Sequence, residues 1–236
     1  MSRFSSSAVV LRKWPFSESS LALRVLTPVQ GTVSLLAKGV HKPKSGSLGV
    51  LDTWALVDLQ FGGPPGAEML TLYKAGLIDR LPGLASSPER LAAAGLLAEI
   101  AELAAPPGAP SEEVFAWFEG ILRELAGDAD PLPVLLGGIL EGLELLGLSP
   151  ILEKEDEEEA RWFSPAAGGL LHSGASRPKE GAKKAGQAEL AILRNPREPA
   201  VLAKQIAVLS MLGDFLGYHL ERIPRAWPLV QKRFHP

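Results

Sequence analysis

The sequence contains no cysteine, which excludes a disulfide framework, a thiolate metal site and thiol catalysis. That composition suits a reducing cytosol. Long uninterrupted apolar runs are also missing. The most apolar stretch, PLPVLLGGILEGLELLGLSP (131–150), carries Glu141 and Glu144 near its middle, so a buried amphipathic helix is expected there rather than a membrane span. The opening MSRFSSSAVVLRKW offers four consecutive apolar residues before Arg12 and Lys13, too few for the apolar core of a secretion signal, and a cytoplasmic protein is expected. Catalytic signatures are equally scarce. There is no phosphate-binding G-x-x-x-x-G-K-[ST], no H-E-x-x-H and no G-x-S-x-G, and the four histidines (His41, His172, His219, His235) are scattered along the chain. The acidic pair Glu141 and Glu144 and the run EKEDEEE (153–159) read as solvated faces rather than acid/base machinery. No catalytic residue and no cofactor are expected, and the chain reads as a non-enzyme.

What is present is an ordinary globular balance with an unusual distribution of charge. Apolar residues make up 46% and charged residues 22% of 236 positions, enough to bury a core. The formal net charge of −3 hides segregation: residues 1–50 hold seven Lys/Arg against the single acid Glu18, residues 51–193 hold ten against twenty-three acids, and residues 194–236 hold seven against three. A basic front on an acidic middle points to a polyanion-binding head on a body that repels polyanions elsewhere.

The hydrophobic pattern changes period along the chain. Short β-branched runs at residues 8–11, 21–26 and 31–37, separated by PFSES and by Pro28 and Gly31, read as strands; TWALVDLQF, GGPPGAE and MLTLYKAGLID read as a hairpin. Five short strands within about 80 residues fit a small closed barrel of the OB type. After SSPER, Leu91, Leu96, Leu97, Ile100 and Leu103 recur at helical spacing, with Ser87 as N-cap and Pro88 at the first helical position. Further helices are expected over 111–125, over 133–146, where Gly137, Gly138 and Gly142 allow a neighbouring helix to come close, and over 199–220. The helices up to residue 146 are expected to pack as one bundle. The expected class is therefore α+β, with a barrel domain over 1–82, a helical domain over 83–236 and an inserted loop region over 150–187.

The stretch LLAKGVHKPKSGSLGVL (35–51) is the most informative. It sets Lys38, His41, Lys42 and Lys44 among Gly39, Gly46 and Gly49, with Ser45 and Ser47 as neutral donors. Phosphates need point charges and donors that can approach closely, and glycine permits that approach. Among the aromatics of the front, Trp14 and Phe16 are the best placed to stack bases, while Phe4, Trp54, Phe61 and Tyr73 are expected to serve the barrel core for the most part.

The pattern resembles the RecO family of recombination mediators. The resemblance is carried by AVVLRKWPFSESSLALRVLTPVQGTVSLLAKGVHKPKSGSLGVL, by LELLGLSPIL and by FSPAAGGLLH, three anchors in the family's order that cover most of the chain. It implies an OB barrel followed by a helical domain in a DNA-repair protein associated with the nucleoid. Such a protein binds single- and double-stranded DNA, anneals complementary strands and, with RecR, helps to load RecA onto strands coated by the single-strand-binding protein, whose acidic C-terminal tail it docks. By position in the matched loop, the resemblance implies Lys38, Lys42, Lys44 and Ser45 as the leading DNA-contact residues, with Arg12 and Arg24 next. Many members carry four zinc-holding cysteines. The matching positions here are Glu155, Glu158, His172 and Ala175, and since a tetrahedral site needs four ligands and Ala175 has none to offer, no metal is expected. Composition and charge alone leave one alternative: a protein-interaction module whose basic barrel docks acidic protein tails and never meets DNA.

Overall fold

In the computed structural model the described residues are 2–40, 48–152, 161–171 and 181–234. Five strands, β1 (Ser2–Ser17), β2 (Ser20–Thr27), β3 (Gly31–Ala37), β4 (Leu56–Gly63) and β5 (Leu70–Asp79), close into a barrel in the order β1-β2-β3-β5-β4. Strand β1 is long enough to serve two partners. Its first half pairs antiparallel with β4, from Ser2↔Gly63 to Val9↔Leu56, and its second half with β2, from Val9↔Leu26 to Ser17↔Ser20. A short parallel ladder, Leu35↔Leu70 and Leu36↔Thr71, completes the circuit between β3 and β5. Closure of this kind removes the exposed edges that an open sheet would present.

Alternation fills the interior. Val10, Leu23, Val25, Val33, Leu35, Val57, Leu59, Phe61 and Leu72 form one buried cluster, with Phe4 packed against it and its ring stacked on Phe61 at 5.4 Å between centroids. Each large apolar side chain removed from water in such a core contributes about 1.5–3 kcal/mol.

The chain groups into two compact units that do not follow its order. The first comprises Met1–Leu84 and Ala101–Gly127, the second Ala85–Ile100 and Asp128–Pro236. Helix α1 (Pro88–Ala104) contributes residues to both units, and α2 (Glu112–Ala126) belongs with the barrel, packing on β2. Three backbone bonds stitch the segment between these helices to the β2–β3 turn: Thr32 N donates to Ala105 O (3.2 Å), Gly108 N to Gln30 O (2.9 Å) and Ser111 N to Pro28 O (2.8 Å). The Thr32 hydroxyl adds a fourth, again to Ala105 O at 2.9 Å. Gly31, at φ +57°, turns the chain here, and a Cβ at this position would collide with the Pro106 carbonyl. That is the physical reason a glycine stands between β2 and β3.

The second unit is mainly helical. The Ser87 hydroxyl accepts from Arg90 N at 3.3 Å and caps α1, and Leu96, Leu97 and Ile100 are fully buried, whereas Leu91 and Leu103 are exposed. Helix α3 (Pro131–Leu145) starts two residues earlier than its pattern suggested, because the Asp130 carboxylate accepts from Leu132 N and caps it. What approaches Gly137 is the guanidinium of Arg197 rather than a helix backbone. The 150–187 region contains a small antiparallel sheet, β6 (Arg161–Ser164), β7 (Gly169–Leu170) and β8 (Lys183–Ala185), in the order β7-β6-β8. Phe163 and Leu170 are buried in it; Trp162 is largely exposed. Helices α4 (Gln187–Arg194), α5 (Leu202–His219) and α6 (Trp227–Phe234) follow, and an added Cβ on Gly213 of α5 would run into the Trp227 ring of α6.

Candidate nucleic-acid interface

Two of the expected contact residues face each other across the β1–β2 ladder as the pair Arg12↔Arg24. Like charges directly opposite on a sheet repel, and a single carboxylate relieves the repulsion. Glu102 accepts from the Arg12 guanidinium through one oxygen and from Arg24 Nε through the other at 3.1 Å. Arg24 also donates from Nη1 to Ser34 Oγ (3.1 Å) and from Nη2 to Thr32 Oγ1 (2.8 Å), so its fork is held from three directions. Both arginines therefore brace the barrel against residues 101–104 of α1.

A second acid neutralises another part of the front. Asp52 is shared by Lys13 Nζ and Arg80, each at 2.8 Å. The hydrogen bond from Lys13 holds its carboxyl below the ordinary range; partial burial opposes this, and the positive charges of Lys13 and Arg80 add to the lowering. Asp79 is likewise lowered, first by the hydrogen bond from Leu81 N and then, against some burial, by Arg123 of α2 at 3.0 Å.

Three cations of the barrel have no carboxylate partner among the described residues: Arg3, Lys38 and Lys74. Lys38 is exposed at the point where the chain leaves β3. Lys74 is exposed on β5, opposite Gln60 of β4. Arg3 sits over the Tyr73 ring, 5.5 Å from its centroid. Lys42, Lys44, Ser45 and His41 fall within 41–47 and lie outside the described residues. At the end of the β1–β2 hairpin, Trp14 and Phe16 are 41% and 57% exposed, as stacking surfaces must be, whereas Phe61 is fully buried.

Comparison with known proteins adds a second line. The family model described as "Recombination protein O N terminal" matches residues 1–81, and "Recombination protein O C terminal" matches residues 85–228. The chain belongs to the RecO family. It is 28% identical over 247 residues to the DNA repair protein RecO of Pelotomaculum thermopropionicum, covering 98% of this chain and 95% of that one. It is 28% identical over 231 residues to that of Desulforudis audaxviator (94% and 83%), and 31% identical over 172 residues to that of Rhodopirellula baltica (70% and 64%).

Other titratable groups of this RecO-family chain are committed to structure. In the second unit Glu141 pairs with Arg197, Lys183 with Asp214 at 2.6 Å, and Lys204 with Glu189 at 2.8 Å. Burial pushes the Glu189 carboxyl up, but the hydrogen bond from Lys204, with backbone donors behind it, brings it net below its ordinary value. His219 Nε2 lies 3.1 Å from Pro165 O, while His172 and the positions matching the family's zinc ligands (Glu155, Glu158, Ala175) lie outside the described residues. Among the described residues no helix is long and apolar enough to cross a membrane. Sequence reasoning missed Tyr73 and Lys74 as surface residues. Alternation predicts that adjacent strand residues face opposite ways, and here both are exposed.

Proposed function

We propose that this chain is a non-enzymatic recombination mediator of DNA repair that binds single- and double-stranded DNA and anneals complementary strands. With RecR it assists RecA loading on strands coated by the single-strand-binding protein, whose acidic tail it docks, and it acts in the cytoplasm at the nucleoid. The observation that carries this reading is the division among the barrel's cations: Arg12, Lys13, Arg24 and Arg80 pair with Glu102 and Asp52, while Lys38, Arg3 and Lys74 have no carboxylate partner among the described residues of a RecO-family chain. Lys42, Lys44 and Ser45 follow Lys38 within seven residues of sequence and extend the same polyanion-binding segment. Arg12 and Arg24 support it as braces. Annealing suits such a surface, because cations that screen two phosphate backbones together lower their mutual repulsion.

Four or five phosphate contacts on a single strand predict a salt slope of about −3, a loss of about fiftyfold in affinity between about 50 and 200 mM salt. The decisive test is Lys38→Glu with Lys42→Glu, folding verified by circular dichroism, in an annealing assay with complementary oligonucleotides. The expected result is slowed annealing and a flatter salt dependence. Annealing at the wild-type rate removes the loop from the interface. A wild-type chain that ignores DNA of every length, yet binds acidic peptides, overturns the reading as a whole.

A further inference from the structure

The bare outer face of β1, β4 and β5 carries a feature that neither core packing nor the ion pairs use. In the β4–β5 ladder Phe61 pairs with Leu72 and Gln60 with Lys74, so Tyr73 is an extra residue with no partner of its own. Such a bulge re-aims side chains. Here it places Tyr73, 48% exposed, and Lys74 together on the outside of the barrel, where strict alternation would have buried one of them. Arg3 comes from the neighbouring end of β1, and its guanidinium lies over the Tyr73 ring. Ser5 and Gln60 face each other in the β1–β4 ladder, and Lys74 continues that row on β5, giving a polar line across three strands that spans roughly 10 Å. Arg3, Ser5, Gln60 and Tyr73 line an open cleft of ≈ 420 Å³ whose floor is the stacked Phe4–Phe61 pair.

Strand β5, which carries Tyr73 and Lys74, also pairs with β3. The parallel ladder ends at Leu36↔Thr71; Tyr73 comes two residues further along β5, and Lys38 follows directly on the last residue of β3, Ala37. The one acid on the outer side of this part of β4 is Asp58, two residues from Gln60, against the three cations Arg3, Lys38 and Lys74.

We infer that the Arg3–Tyr73–Lys74 face is a base-stacking site for single-stranded nucleic acid: one base lies against the Tyr73 ring and the Arg3 guanidinium, and Lys74 and Lys38 hold the flanking phosphates. The chemistry selects this occupant. Exposed tyrosine and arginine planes accept a base of any identity, neighbouring cations accept the backbone, and Gln60 and Ser5 offer hydrogen bonds to base edges or sugar without favouring one base. An acidic peptide would satisfy the cations and leave the aromatic plane unused. The inference rests on the DNA-binding reading above and adds to it a second contact, away from the 41–47 segment.

The test is equilibrium binding of the full chain to a labelled oligothymidylate of about sixteen nucleotides, the span of one OB barrel, and to an abasic strand of the same length. Tyr73→Ala is expected to weaken binding to the base-bearing strand at least about fivefold while leaving the abasic strand unchanged, and Tyr73→Phe is expected to restore it. Lys74→Gln should reduce the salt slope by about 1 on both strands, whereas Arg3→Gln, like Tyr73→Ala, should weaken binding chiefly to the base-bearing strand. Because Tyr73 is a half-exposed side chain on a bulge, Tyr73→Ala should keep the wild-type melting transition, which is checked first. Undiminished binding by Tyr73→Ala, or an equal loss on both strands, overturns the stacking site. If Lys38→Glu with Lys42→Glu weakens binding at the same time, the failure belongs to this site alone; if the wild-type chain binds neither strand, it belongs to the DNA-binding reading.

Discussion

Two outer faces of one barrel have been put to opposite uses. Over β1, β2 and β3, residues 101–127 lie close, Thr32 and Leu26 are fully buried, and Arg12 and Arg24 are matched to Glu102. Over β4, β5 and the start of β1, side chains at Asp58, Gln60, Tyr73 and Lys74 stand in solvent, and Arg3 and Lys74 have no carboxylate partner among the described residues. Both faces are built on the same interior and both are rich in arginine and lysine. Positive charge on a strand therefore does not by itself mark an interface: the covered face shows the same residue types working as braces, and what distinguishes the bare face is that, among the described residues, no carboxylate pairs with its cations.

The contrast can be broken from the inside. Phe61 is fully buried and packs under both faces, so Phe61→Ala is expected to cost about 3–5 kcal/mol, read as a shift in the midpoint of denaturant unfolding. Oligonucleotide binding should then fail together with the fold. A loss below about 1 kcal/mol would mean that the barrel core is not shared.

A milder change sharpens it. Glu102→Gln removes the charge that holds Arg12 and Arg24, both at least partly exposed, and should cost about 1 kcal/mol while tightening DNA binding and steepening its salt slope by about 1. Unchanged affinity would show that the two guanidiniums cannot reach phosphate even when released.

The smallest effect is set by pH. Asp52 and Asp79 titrate below their ordinary values in the folded chain, so around pH 4 the unfolded chain binds more protons than the folded one. Their contribution is complete above the unfolded value and disappears as the pH falls through the lower, folded one. Because both are largely exposed, each is worth within about 1 kcal/mol. Asp52→Asn should therefore flatten the acid limb of stability measured between about pH 6 and pH 3; an unaltered limb would assign acid sensitivity to other groups.

Much of the barrel was readable in the sequence because its strands alternate. The run at 31–37 is β3, and Ser87 with Pro88 opens α1 as its chemistry requires. Strand β1 begins earlier than its apolar core, since SRFSSS pairs with β4 through backbone bonds that polar side chains do not announce. Helices α4 and α6 are eight residues each, too short to show a period. Helix α2 joins the barrel rather than a bundle with its neighbours in sequence, a choice made by contacts with Pro28 and Gln30 that no local pattern encodes. Of the candidate site, the exposure of Lys38 was legible from the glycine-rich stretch that it opens. The commitment of Arg12 and Arg24 was not, because their partner lies 90 and 78 residues away. The outward turn of Tyr73 was hidden too, since a bulge is a property of the ladder and not of the strand.

The stitching of residues 105–111 to the β2–β3 turn has a consequence for synthesis. As the nascent chain leaves the ribosome, all five strands emerge before the segment that satisfies Thr32 and shelters the apolar side chains beneath it. Until some thirty further residues have appeared, the newborn barrel carries an uncapped turn and a raw apolar flank, so the interval between the end of β5 and the arrival of Ser111 is when this protein is most open to chaperones and to misassociation.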